Sequence, residues 1–294
     1  MIFKGMGINI VTPFLDTNEI DFDSLKSMLD KYIDTGVNAI ILGRLTGEFS
    51  TLNNEEIESL IDFVVKYVNK KAPVIVQTGF NDTRRSIELS IKAKRLGADA
   101  LILPVPYYNV GNEQGIKTHF KSIAISSGLP CYIENDASNT QLNLSPDLVS
   151  EIAQINNIVG LIESSSDLTH LMNLIAMIPD GFQLVSSDDM MIFTYLTLGA
   201  SAFISSVANI SPKETVEIYN NYEKGDILGA RNQQLSLIDL INALKLESHP
   251  IPLKTALNML GYNAGEFRLP LHTMNVDKAA QLAALIMDMD IKKL

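Results

Sequence analysis

The chain has 294 residues, 46% hydrophobic and 19% charged, with a formal charge of −11 and a pI near 4.8. This is the composition of a globular protein long enough to bury a large core. The acidic balance argues against a nucleic-acid partner, whose phosphates need clustered Lys and Arg, and against an anionic membrane surface.

The chain opens on "MIFKGMGINIVTPF". This stretch lacks a basic region followed by an apolar run and a cleavage site. No run of about 18 apolar residues follows that would span a membrane. One cysteine, Cys131, sits in an apolar run; alone it cannot form an internal disulfide, and a buried small hydrophobe is the ordinary reading. A cytoplasmic protein is expected.

The first strand is predicted near 6–11. Three similar units then recur: Gly36-Val37-Asn38-Ala39 before "IILG", Gly97-Ala98-Asp99-Ala100 before "LILP", and Gly199-Ala200-Ser201-Ala202 before "FISS". Each reads as a helix closed by a left-handed glycine, then a strand buried on both faces. Ile57, Leu60, Ile61, Val64, Val65 and Val68 make one helical face, with Asn53 and Glu56 as a capping pair in front. Ile87, Leu89, Ile91 and Leu96 belong to the next helix. Strands follow near 38–43, 73–78, 99–104, 130–135, 157–162, 182–186 and 201–205.

Eight strands alternating with helices predict an α/β fold, a (β/α)8 TIM barrel over 1–211. Helical segments near 212–246, 251–260 and 276–289 predict a C-terminal extension, 212–294, packed on the barrel as one structural unit. In such barrels chemistry sits at the C-terminal strand ends. That selects "GRLTGE", "PVPYYN", "YIENDASNT", "LIESSSD", "SSDD" and "ISSVAN".

These pieces, in order, resemble the dihydrodipicolinate synthase and N-acetylneuraminate lyase family. The resemblance rests on "IVTPF" (10–14), "TGEFSTL" (46–52), "PYYN" (106–109), "QGIKTHF" (114–120), "ISSVANISP" (204–212), "PIPLK" (250–254) and "FRLPL" (267–271). It implies class I aldolase chemistry without a cofactor, with a strand-6 lysine forming a Schiff base with pyruvate. It also implies a proton relay through a strand-5 tyrosine, a strand-2 threonine and a neighbouring subunit's tyrosine. An arginine after strand 5 would receive the second substrate.

Position by position, the family's Gly-apolar-Lys-Glu is here Gly160-Leu161-Ile162-Glu163. Its Tyr-Asn-x-Pro-x-Arg-Thr is Glu134-Asn135-Asp136-Ala137-Ser138-Asn139-Thr140. Its Gly-Thr-Thr-Gly-Glu is Arg44-Leu45-Thr46-Gly47-Glu48. The resemblance thus puts Ile162 at the Schiff-base position, Glu134 at the relay tyrosine, Leu45 at a threonine and Asn139 at the arginine. Thr46, Glu48, Tyr107, Tyr108, Asn135 and Ile204 match. A hydrocarbon side chain offers no amine for an imine, and no lysine stands between Lys121 and Lys213.

Two readings of Arg44 compete. In one it pairs with Glu134 and plugs the emptied site. In the other it holds a ligand carboxylate, with Thr46 assisting and Ile204 and Asn139 at the same substrate site. A metal site is not expected: Asp188 and Asp189 are read as capping the helix after strand 7, and "SSS" at 164–166 as a helix-start loop. His119, His170, His249 and His272 fall on helices or the extension.

Three functions follow. The first is a paralogue binding a small acidic metabolite without Schiff-base chemistry, with Glu134 as candidate acid/base. The second is a non-catalytic regulatory or ligand-sensing oligomer. The third is ordinary synthase activity, joining pyruvate to aspartate semialdehyde. A homodimer or homotetramer is expected, with Tyr107 and Tyr108 at the contact.

Overall fold

The computed structural model describes residues 1–289. Eight strands form a closed barrel in chain order. They are β1 (Gly5–Asn9), β2 (Ala39–Leu42), β3 (Val74–Gln77), β4 (Ala100–Pro104), β5 (Cys131–Asn135), β6 (Ile158–Glu163), β7 (Gln183–Ser186) and β8 (Ala202–Ser205). The predicted barrel is therefore observed. Every residue of seven strands except Gln77 is buried, and β6 departs only at Val159. Burial on both faces is what the near-continuous apolar runs dictate.

The chain divides into two compact units. The first comprises Met1–Lys4 and Pro73–Phe203. Its strands pair in parallel from β3 through β7 and on to the start of β8. Cys131 is buried among them, and burial pushes its thiol up to about 12, an inert structural sulfur.

The second unit comprises Gly5–Ala72 and the chain from Ile204 onward. It carries the parallel β1–β2 pair and the C-terminal helices. The expected capping box is present: Asn53 accepts from Glu56 N, and the Glu56 carboxylate accepts from Asn53 N, both at 2.9 Å. The helical stretch predicted over 212–246 is broken into Pro212–Glu223, Ile227–Ser236 and Ile238–Ala243. Gly225, at φ +80°, ends the first piece, and Asp226 caps the second by accepting from Gly229 N. No described helix is long and apolar enough to cross a membrane.

Candidate functional site

In the second unit the chain turns sharply after β2, through Gly43 to Glu48. Gly43, Arg44 and Glu48 lie at φ +87°, +59° and +51°. Gly47 N reaches back to Gly43 O at 3.3 Å, and a Cβ on Gly47 would sit 2.8 Å from that oxygen. The turn therefore requires glycine there. Non-glycine residues at positive φ persist only where surroundings impose them.

Glu48 supplies that restraint. Its carboxylate accepts from Lys254 Nζ at 2.7 Å and from Arg268 N at 3.3 Å. Lys254 is fully buried and also donates to Thr12 O at 3.2 Å and Glu266 O at 2.7 Å. Phe14 and Phe267 lay their rings 4.6 and 5.2 Å from its ammonium. Burial lowers the Lys254 pKa, and the charge of Glu48 opposes that shift.

Thr46 is the centre of a polar cluster. Its hydroxyl accepts from Asn9 Nδ2 at 2.5 Å and lies 3.1 Å from Ser206 Oγ and 2.8 Å from His249 Nε2. A hydroxyl has one proton and two acceptor lone pairs, so these three partners fill its capacity. Asn209 braces the cluster, donating to Asn9 O and Ser206 O at 2.8 Å each and accepting from Tyr32 OH at 3.2 Å. Asn9 Oδ1 is buried without a hydrogen-bond partner. Burial, with the Arg44 charge adding to it, lowers the His249 pKa to about 4, so the ring is neutral at pH 7. Ile204 is buried on β8, whereas Leu45 is 44% exposed.

In the first unit, Glu134 on β5 and Val185 on β7 both stand in register with Ile162 on β6. Ile162 and Glu134 are both buried. Gly160 admits no side chain: a Cβ would meet Gln183 O at 2.4 Å and the Tyr132 ring at 2.8 Å. Glu163, one residue on, faces the other way. It accepts from Asn135 Nδ2 at 2.8 Å and Ser165 N at 2.9 Å, and His170 Nε2 stands 3.5 Å off as an ion-pair contact. The carboxylate raises the His170 pKa, against burial.

The remaining predicted residues are placed as follows. Asn139 lies in the short helix Ala137–Thr140 and donates to Asp136 at 2.6 Å. Tyr107 is half-buried, and Tyr108 is 95% exposed at φ +70°. Asp188 caps the turn after β7 through Met190 N, and Asp167 caps the helix that "SSS" leads into. Among the described residues no group of three His, Cys, Asp or Glu is placed to hold a metal. Asn9, Ser206 and His249 are cluster members that sequence reasoning did not single out. They reach Thr46 across 37, 160 and 203 residues, and no local pattern marks them.

Residues 2–289 match the dihydrodipicolinate synthetase family. A 4-hydroxy-tetrahydrodipicolinate synthase of Thermodesulfovibrio yellowstonii is 40% identical over 285 residues, 97% of this chain and 98% of that protein. The dihydrodipicolinate synthase of Aquifex aeolicus superposes with a TM-score of 0.96 at 34% identity, covering 99% of each chain. The chloride-inhibited enzyme of Acinetobacter baumannii, solved in complex with pyruvate, superposes at 0.95 with 35% identity, covering 99% of this chain and all of that one. With the match running through all eight strands and the C-terminal helices, the chain belongs to the dihydrodipicolinate synthetase family.

Proposed function

We propose that this family member binds a small carboxylate metabolite at Arg44 and does not condense pyruvate through a Schiff base. The observation that carries this is Ile162. It stands on β6 directly after Gly160-Leu161 and before Glu163, and the stretch from 122 to 212 contains no lysine. An imine needs an amine, and no pKa shift makes one from a hydrocarbon. Arg44 supplies the fork that grips a carboxylate with two hydrogen bonds. Thr46 assists by fixing the turn, since its own hydroxyl is engaged threefold. The exposed Tyr108 ring beside Tyr107 supports a homo-oligomer, a dimer first, with these tyrosines at the contact.

The second reading is 4-hydroxy-tetrahydrodipicolinate synthase activity. The name borne by the 40% identical relative favours it, as does the relative solved in complex with pyruvate. It requires an amine from outside residues 122–212. A turnover assay with pyruvate and aspartate semialdehyde, run beside calorimetry with pyruvate alone, separates the two. The proposed reading expects binding without turnover. Turnover at the rate of a family synthase contradicts it.

A further inference from the structure

The geometry points to a proton relay running His249–Thr46–Ser206, with His249 as its terminal acid–base group and the ligand at the Ser206 end. It deepens the carboxylate reading above and rests on that reading for the identity of the ligand.

The Thr46 hydroxyl has one proton and two lone pairs to share among three partners. Asn9 Nδ2 can only donate, so it takes one lone pair. One lone pair and one proton remain, facing Ser206 Oγ and His249 Nε2. Whichever of these two receives the Thr46 proton, the other must donate. The imidazole tautomer and the Ser206 hydroxyl are therefore coupled through a single oxygen. Passing from the imidazolium, whose Nε2–H must donate, to the Nδ1-protonated imidazole, whose Nε2 must accept, moves one proton along all three groups and leaves both hydroxyls intact. Asn209 holds both Asn9 O and Ser206 O and keeps the chain of contacts in line.

In the delivering direction, the imidazolium passes its Nε2 proton to Thr46 Oγ1. Thr46 passes its own proton to Ser206 Oγ, and Ser206 passes its own to a basic atom of the ligand. The imidazolium becomes imidazole, both hydroxyls are regenerated, and the ligand gains one proton. Ser206 keeps partial exposure, as that role needs.

After burial, the positive charge of Arg44 also works against an imidazolium. A carboxylate bound by Arg44 offsets that charge and favours ring protonation. The relay is thus charged by its own ligand class, small 2-oxo or 2-hydroxy carboxylates that gain or lose a proton beside the carboxyl group.

The test is nitrogen NMR of the full-length protein carrying ¹⁵N-labelled histidine, with pyruvate as the probe. In the ligand-free protein the His249 ring should exchange between both neutral tautomers. Ser206→Ala leaves Nε2 as the sole acceptor for the Thr46 proton, so it should shift the ring to the Nδ1-protonated form. Thr46→Ser, which keeps the hydroxyl, should preserve the tautomer exchange, whereas Thr46→Val should abolish it. A ring fixed in one tautomer and unmoved by Ser206→Ala overturns the relay. Saturating pyruvate should raise the His249 pKa by about one unit, a tenfold gain in proton affinity. If pyruvate perturbs no resonance, the carboxylate reading fails, and the tautomer measurement still decides the relay. If pyruvate binds and the His249 pKa stays put, the coupling to Arg44 is refuted.

Discussion

Thr46 Oγ1 and His249 Nε2 lie 2.8 Å apart. The contact ties the turn after β2 to the segment entering the helix Ile251–Met259. The Glu48–Lys254 ion pair joins the same two segments a second time, at 2.7 Å. Two ties explain how Arg44 and Glu48 are held at positive φ.

The Lys254 substitution tests the stronger tie. Lys254→Met removes the ammonium and strands the buried carboxylate of Glu48. The expected cost is about 3–5 kcal/mol in urea unfolding. Adding Glu48→Gln should recover part of it, because the stranded charge goes with it. A cost below about 1 kcal/mol for Lys254→Met contradicts the assignment.

Arg44→Ala should weaken pyruvate binding at least about tenfold, the loss of a paired charge-assisted contact. Arg44→Lys keeps the charge and loses the fork, so it should fall between. Calorimetry at fixed ionic strength reads both. Equal affinity in all three proteins means that Arg44 is not the carboxylate group.

His170 should make stability depend on pH. Its folded pKa is raised by Glu163. A raised pKa contributes stability that is fully present below the unfolded histidine value, about 6.5, and is lost as pH rises through the folded value. His170→Gln should flatten that fall. A wild-type stability profile with no decline above pH 6.5, or one that His170→Gln leaves unchanged, counts against the pair.

Gly160→Ala should cost about 1–3 kcal/mol through overpacking. The new methyl would overlap Gln183 O and the Tyr132 ring. Thermal unfolding measures this, and a neutral result would show that β6 and β7 can separate locally.

The strands were legible because each is a short, largely apolar run buried on both faces, several of them led in by a glycine. That pattern gave all eight within two residues at either end, from β2 (Ala39–Leu42, read as 38–43) to β1 (Gly5–Asn9, read as 6–11). Glu163 faces away from Ile162 because side chains alternate along a strand. The break at Gly225–Asp226 was readable in principle, as a left-handed glycine followed by a capping aspartate, but apolar periodicity across 212–246 masked it. The site was half legible. Arg44 and Ile162 stand out against the family's motifs because they are local. Asn9, Ser206 and His249 do not, because their meeting at Thr46 is a product of folding. A histidine before a proline in the C-terminal region carries no mark of a partner 203 residues away.

Borohydride reduction in the presence of pyruvate tests the central claim most directly. The reagent traps an imine as a stable adduct, and intact-mass spectrometry counts it. With Ile162 at the end of β6, the mass is expected to stay unchanged. Ile162→Lys should restore only weak trapping, because the buried position penalises a charged amine and the resemblance places other changes at Glu134 and Leu45. A pyruvate-sized adduct on the wild-type protein, mapping within residues 130–210, would contradict the account.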